Sequence, residues 1–472
     1  MAKNYKIATL FLLIVLFLTS GFGCANKMDK ETRHKMRRIT LNYWRVWDGP
    51  DDFAEIIEQY HRLHPNITIN YRKLRYEEYE QALIEAFAVD RGPDIFSIHN
   101  TWMRKYQSKG LLAPVPDKIM MVYPQAKGNI KKEVVYKKIT RRSITPAQVK
   151  NDYVDVVYND VVIKTKDEES GQIKEMVYGL PLSVDTLAMY YNRDLFNNAG
   201  ITAAPEYWNR EFQQDVKKLT KQNNKGEIIQ SGVALGGADN IERAPDILSV
   251  LMMQNGAVMM DGNQVTFHRI PPVFKSREYN PGLDALRFYT DFANPAKEVY
   301  SWNETLDSSL DLFIQNKLAI MFGYSYMLPI IKSRAPKLNF AIAPLPQIEG
   351  NLANINFANY WVEVVSHKSK NKEEAWDFIQ FAANKKWVTS YLDKTGRPPA
   401  LRFLVDKYKD NPETGVFTAQ VLTAKSWYRG NDAPTAEKIM KEMIKEAVNS
   451  PRKLNDIINF AARKIQQTVT GN

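Results

Sequence analysis

The first patterned stretch of the chain sets the strongest limit on its fold, because two periodicities alternate there. Ile39-Thr40-Leu41-Asn42-Tyr43-Trp44 alternates apolar and polar residues, as a strand with one buried face does. The pattern breaks at Asp48-Gly49-Pro50. Phe53, Ile56, Ile57 and Tyr60 then recur at helical spacing, with Asp51 or Asp52 placed to cap the helix and Pro65 beyond its end. Ile67 to Tyr71 is a second strand, Tyr76 to Val89 a second amphipathic helix, and Pro93 to Ile98 a third strand. This order predicts an α/β architecture, a parallel sheet covered by helices. Such sheets take ligands at the carboxyl ends of their strands. Trp44 to Asp48 and His99 to Trp102 therefore share one rim.

At 472 residues the chain has room for two or three domains, and 44% hydrophobic with 25% charged residues suits a folded protein. Residues 123–177 break the pattern. They are charged, and β-branched in places (Tyr153-Val154-Asp155-Val156-Val157-Tyr158), which predicts an added hairpin or subdomain. Helix and strand patterns resume at Trp208, with loops at Ala203-Ala204-Pro205 and Pro271-Pro272, a buried strand from Leu318 to Met321 and another from Phe340 to Pro344. Pro434-Thr435 opens a helix whose apolar face is Ile439, Met443, Ile444 and Val448. Ser450 as cap and Pro451 at the first helical position open the last one, with a stripe running from Leu454 to Ile465.

The net charge of +11 is local rather than spread. Lys127 to Lys150 holds eight basic residues and one acidic, and Asn151 to Glu175 seven acidic and three basic. Neighbouring stretches of opposite sign pair or solvate one another, and no nucleic-acid motif accompanies them, so no nucleic-acid partner is expected. The only cysteine is Cys24. Lys3 and Lys6, the apolar run Ile7 to Leu18 and the small residues before Cys24 have the layout of a secretory signal over residues 1–23. An uncleaved anchor is the competing reading, since residues 7–26 carry no charge and about 20 residues span a bilayer. Both put the folded part outside the cytoplasm, behind a basic tether over residues 24–37 that could rest on anionic lipid headgroups.

Tyr178 to Ile201, YGLPLSVDTLAMYYNRDLFNNAGI, sets Asp185 at a break between two ordered pieces, where a carboxylate can face a cleft. A strand-turn-strand within any α/β enzyme is the plainer reading. The block resembles the segment of family 1 extracellular solute-binding proteins where the chain first crosses between lobes. These are the sugar-binding subunits of bacterial ABC importers, similar to maltose-binding protein. RITLNYWRVWDGPDDF, GPDIFSIHNTWMRKYQSKGLLAPV, LAIMFGYSYMLPII, NFANYWVEVVSHKSKNKEEAWDFIQFAAN and KTGRPPALR resemble further family segments, in order. Together they cover most of residues 38–402, with 123–177 outside. The resemblance implies a two-lobed periplasmic-binding-protein-like fold of type II, its hinge crossed by three segments near Leu182–Thr186, Asn359–Val364 and Thr395–Pro399. Residues 38–184 plus 362–395 would form the first lobe, with an insert at about 123–177, and residues 185–361 plus 396–472 the second.

The same resemblance implies a mono- or oligosaccharide ligand, a permease pair as partner, a monomeric protein and no catalysis. It also implies acylation of Cys24, which would tether the chain to the membrane. Carboxylates and amides suit sugar hydroxyls, and aromatic rings suit sugar C–H faces. The rims offer Trp44, Trp47, Asp48, Asn100, Trp102, Asp185, Tyr324, Tyr326, Asn359, Tyr360, Trp361 and Arg397. Each aromatic could instead be core, as expected for Trp376, Phe378 and Trp387. Asp48 could instead cap a helix, and Arg397 could be a solvated loop residue. A secreted glycoside hydrolase is the main alternative, since its paired carboxylates follow no spacing rule. A surface interaction module without a ligand is a third. His61 and His64 share a helix face but lack a third ligand nearby, so they read as an exposed helix end and no metal is expected. Gly236-Gly237 lacks the Lys-Ser/Thr of a phosphate loop, and no cofactor is expected.

Overall fold

The computed structural model describes residues 28–127, 133–166, 171–351 and 353–470. Cys24 and the signal-like segment lie outside them. The first sheet has the strand order Ile67–Lys73, Ile39–Arg45, Ile95–His99, Trp361–Ser366, Leu112–Ala113. Its first three strands are parallel, as the alternating periodicities predict, and Trp361–Ser366 returns antiparallel beside Ile95–His99. Helices Pro50–Leu63 and Tyr76–Ala88 bury Phe53, Ile56, Tyr60, Tyr79, Leu83 and Phe87 in its core. Gly49, not Asp51 or Asp52, holds the cap position of the first helix, and the Asp52 carboxylate accepts the Gly49 N–H at 2.7 Å. At the other end of that helix His64 is buried, not exposed, between the rings of Tyr60 and Tyr123.

The second sheet runs Lys221–Gln222, Ile228–Val233, Leu318–Gly323, Ala188–Asn192, Phe340–Ala343. Leu318–Gly323 is buried at every position, so its continuous apolar run, without alternation, is what a central strand requires. Each sheet has its own core. One draws on residues 39–184 and 358–424, the other on 187–357 and 417–469. Between them lies a small third sheet, in which Asp185–Thr186 pairs antiparallel with Asn356–Asn359 and Ala424–Lys425 pairs parallel with the same strand. Two lobes joined by short crossing segments, each built on a mixed sheet, make the type II arrangement. The third hinge strand is Ala424–Lys425, where Thr395–Pro399 was expected. That segment runs beside the first crossing, with Pro399 bridged to Ser183. Ala400, Leu401, Leu404 and Val405 then pack in the first core, whereas a boundary at 396 would assign them to the second.

The unusual segment is two hairpins around two short helices. Lys118–Lys127 pairs with Glu133–Arg142, and Val162–Lys166 with Ile173–Val177. Between them lie helices Pro146–Asp152 and Asp155–Val161. The β-branched run at Tyr153 to Tyr158 thus becomes helical for much of its length. Val154, Val157 and Val161, spaced by three and four, are all buried in the first core, and that burial outweighs their strand preference. The segment is therefore part of the lobe and not a separate subdomain. Near the C-terminus Asp432 caps helix Ala433–Asn449, in which Ala447 rather than Val448 is buried. A 3₁₀ turn at Pro451–Lys453 precedes the last helix, Leu454–Thr470.

If the segment is integral, a charge inside it should destabilise the whole lobe. Val157→Asp should cost about 3 kcal/mol or more in urea unfolding, because it buries an unpaired carboxylate. Val134→Asp, at an exposed hairpin position, should stay within about 0.5 kcal/mol. Equal effects of the two would show that the segment folds apart from the core.

Candidate functional site

A cleft of about 740 Å³ opens between the lobes, beside the hinge sheet. Its first wall is set by the end of strand Ile39–Arg45. The chain turns there through Val46-Trp47-Asp48, and the Asp52–Gly49 hydrogen bond holds that turn. Trp47 projects half exposed and stacks on Tyr76 with centroids 5.4 Å apart and planes 21° apart. Trp361, at the start of the return strand, presents its edge to Trp102 at 5.6 Å, to His99 at 5.8 Å and to Tyr79 at 5.9 Å. Across the cleft Tyr326 begins the second wall, its ring 6.4 Å from Trp47 and only 7° from parallel to it.

Beneath this aromatic frame lies a buried charged floor. Arg45 Nη2 is 2.8 Å from Asp48 and 3.1 Å from Glu363, and Arg397 Nη2 is 2.9 Å from Asp48. Burial pushes the Asp48 carboxyl up, but Arg45 and Arg397 outweigh it and hold the group below its ordinary range. The Tyr391 hydroxyl donates to Asp48 at 3.1 Å, so this side chain is no helix cap. Arg397 is tied down in the same cluster and is not a solvated loop residue. At the hinge, Asp185 accepts the Ser325 N–H at 3.0 Å and the Ser325 hydroxyl at 2.7 Å. Gly179 lets the chain reach this point: a Cβ there would meet Val362 Cγ1 at 2.4 Å.

Of the predicted residues, Trp47, Asp48, Asn100, Trp102, Asp185, Tyr326, Asn359, Tyr360, Trp361 and Arg397 line the cleft. Trp44 and Tyr324 do not. Trp44 precedes Arg45 in the strand and so takes the opposite face, with the Arg72 guanidinium 5.0 Å from its ring. Tyr324 is fully buried behind Tyr326, its hydroxyl donating to Asp246 at 2.6 Å. Asn100 and Tyr360 reach the cleft but are themselves buried, and both donate to Asp160. Arg45 and His99, within the predicted rim segments but not among the predicted ligand residues, also line the space, and sequence reasoning missed Tyr76, Arg243, Asp246, Ser325 and Tyr391 altogether. Arg243 has a left-handed backbone (φ 58°) just before helix Ala244–Gln254 and grips Asp246 through Nε at 2.8 Å and Nη2 at 3.0 Å. The Pro245-Asp246 helix start was the available signal for that pair. Among the described residues no group of three potential ligands is arranged to hold a metal.

A two-lobed protein with an aromatic-lined cleft at its hinge belongs by architecture to the solute-binding class. The comparisons agree. Residues 47–389 match the model of the bacterial extracellular solute-binding protein family, and the chain belongs to that family. It is 21% identical over 396 residues to the multiple sugar-binding protein of Streptococcus mutans, covering 83% of this chain and 82% of that one. It is 20% identical over 405 residues to the galactooligosaccharide-binding protein of Bacillus subtilis, covering 86% and 83%. In structure it is similar to the cyclic α-maltosyl-1,6-maltose binding protein of Arthrobacter globiformis, with TM-score 0.70, 18% identity, and 92% and 100% of the two chains covered.

Two cleft groups titrate in opposition. Burial pushes the Asp185 carboxyl up to about 6, against the hydrogen bonds from Ser325. Burial and the nearby Arg243 guanidinium take His99 down to about 4. A carboxyl raised on folding holds its proton more tightly in the folded state, so it subtracts stability as pH rises from 3.8 to about 6. A histidine lowered on folding adds stability as pH rises from about 4 to 6.5. Asp185→Asn removes the first contribution alone. Over that window the variant's unfolding free energy should climb with pH more steeply than the parent's, by about 1 kcal/mol per unit. Urea titrations read the slope, and an unchanged slope would contradict a raised Asp185.

Proposed function

We propose that this protein captures a carbohydrate between its lobes, outside the cytoplasmic membrane, and delivers it as a monomer to the permease subunits of an ABC importer. The observation that carries the reading is the parallel pair Trp47 and Tyr326, one from each lobe, flanked by Trp361. Saccharide rings have apolar C–H faces that aromatic faces cover, and hydroxyl edges that carboxylates, amides and guanidiniums bond. Asp185, Asn359 and Arg397 supply such groups around the rings. The named ligands of the two relatives are sugars, which supports the same class here. A ligand touching both walls binds the closed form better and so shifts the lobes toward closure, the state a permease pair would sense.

The glycoside hydrolase alternative fits less well. Hydrolysis needs a protonated carboxyl and a free carboxylate flanking the scissile bond. Asp48 is held between two guanidiniums and Asp185 by Ser325, so both are engaged in fixing the cleft. Calorimetric titration against a panel of mono- and oligosaccharides should find one that binds at one site per chain. Trp47→Ala and Tyr326→Ala should each weaken it by about tenfold. X-ray scattering should show compaction with that sugar. Released reducing ends would move the reading to an enzyme, and a panel without heat would end it.

For the N-terminus we propose removal of residues 1–23 and acylation of Cys24, with the basic tether against anionic headgroups. Mass analysis of the mature protein should find a diacylglyceryl-modified Cys24 as first residue. A free thiol at Cys24 would reject the lipid anchor, and retained residues 1–23 would replace it with an uncleaved apolar one.

A further inference from the structure

We propose that Arg104 and Arg429 form an anion subsite in a second cavity beside the interlobe cleft, taking the carboxylate or sulfate group of an acidic saccharide; this rests on the carbohydrate reading above. A second cavity of about 460 Å³ is lined by Arg104, Asn159, Met260, Gly262, Asn263 and Arg429. It is tied to the main cleft through Asp160, which pairs with Arg429 here and accepts from Asn100, Tyr360 and Ser426 of the cleft lining. Asn100, Thr101 and Trp102 line the cleft just before Arg104, and Ser426, Trp427 and Tyr428 just before Arg429.

The two arginines come from opposite lobes. Arg104 stands on helix Met103–Ser108, whose Met103 and Tyr106 pack in the first core. Arg429 follows Trp427 and Tyr428 of the second core. They are close enough to act on one another: burial and the Arg429 charge together lower the affinity of Arg104 for its proton. Arg104 is only partly exposed, and the one opposite charge acting on it among the described residues is that of Asp160. Arg429 has one weak partner, Asp160 at 3.4 Å, and its Nε is buried with no acceptor.

Asp160 is the carboxylate that acts on both arginines, and it already accepts from Asn100, Tyr360 and Ser426. Two guanidiniums against one shared carboxylate leave a net positive charge. Closing the lobes brings these like charges together, which costs free energy unless an anion lies between them. An anionic group there would satisfy the free guanidinium donors, with the amides of Asn159 and Asn263 at the rim. It would also bond both lobes at once and so favour closure. A saccharide long enough to reach past Asp160 from the aromatic walls would carry its acidic group into this space.

The full chain should be titrated by calorimetry with matched pairs that differ only in charge: oligogalacturonate and its methyl ester, glucuronate- and mannuronate-containing oligomers and their neutral counterparts, and inorganic sulfate alone. At least one acidic oligomer should bind about tenfold or more tightly than its neutral partner, with the ratio shrinking as salt rises. Arg104→Gln and Arg429→Gln should bring that ratio toward one, and Arg104→Lys should retain part of it. Unchanged thermal unfolding without ligand would establish that the variants fold. Neutral sugars binding as well as acidic ones would overturn the subsite and leave carbohydrate binding standing. No binding of any saccharide, acidic or neutral, would overturn both. Arginine-dependent binding of sulfate alone, with no preference among the sugar pairs, would overturn the saccharide assignment.

Discussion

The chain Glu363–Arg45–Asp48–Arg397 is the interaction on which the rest of the cleft depends. Arg45 ends the first strand and Asp48 lies in the turn after it; Glu363 on the return strand and Arg397 after helix Lys385–Thr395 stand more than 300 residues further along the sequence. Buried ions are costly unless each faces an opposite charge, and the alternation of signs meets that condition. Two hydroxyls add to it, Tyr43 donating to Glu363 at 2.6 Å and Tyr391 to Asp48 at 3.1 Å, while Arg45 Nε and Nη1 and Glu363 Oε1 are buried without a hydrogen bond among the described residues. The Arg45 guanidinium also lies 4.6 Å from the Phe53 ring centroid. Removing Arg45 would leave Glu363 buried without its opposite charge, a loss of about 3–5 kcal/mol. Trp47 lies between Arg45 and Asp48 in sequence, and Trp361 two residues from Glu363. The same ions that tie the chain's return to its start therefore fix where the aromatic walls stand.

What the sequence displayed was whatever repeats locally. Strand Ile39–Arg45, helix Pro50–Leu63 and strand Ile67–Lys73 follow from alternation and from i, i+3, i+4 spacing, which need no knowledge of the rest of the chain. The cleft residues near strand ends, such as Trp47, Asn100 and Trp361, were legible for the same reason. Trp44 was misplaced because a rim argument ignores parity, and neighbouring strand residues face opposite sides. The helix at Asp155–Val161 was hidden because its valines prefer strands in isolation and become helical only through burial in a distant core. Arg243 and Asp246 were invisible as site residues, since their position opposite the first lobe depends on how the two lobes meet. The third hinge strand at Ala424–Lys425 likewise has only two residues and carries no pattern of its own.

The segment at 118–177 illustrates how an irregular piece can be absorbed without disturbing the architecture. Its hairpin strands bury Ile119, Met121, Ile163 and Val177 in the first core, its middle turns inward as well, and Asp160 reaches the interlobe seam. There it accepts from Asn100 and Tyr360 of the first lobe and from Ser426, beside the second. A carboxylate with four groups aimed at it, Arg429 among them, is a strong local organiser in a low-dielectric setting. The segment that least resembles the family thus supplies a charge at the family's functional boundary.

Contacts within each lobe and contacts between the lobes differ in kind, and that difference bears on movement. Each lobe is held by an apolar core of dozens of fully buried side chains. The seam is held by Asp160 and its partners, by the Trp47–Tyr326 faces and by the hydrogen bond from Ser108 to Asn431. Within the Asp160 cluster the contacts that cross are those of Ser426 and Arg429; with the half-exposed rings and the exposed Ser108–Asn431 pair, they are contacts that water can replace when the lobes part. The hinge strands Asp185–Thr186 and Ala424–Lys425 are two residues each, too short to resist bending strongly. The cores consequently fix the shape of each lobe while leaving the angle between them to a few weak contacts. A bound solute that bonds to both walls adds free energy on the scale of those contacts. It can therefore decide the angle.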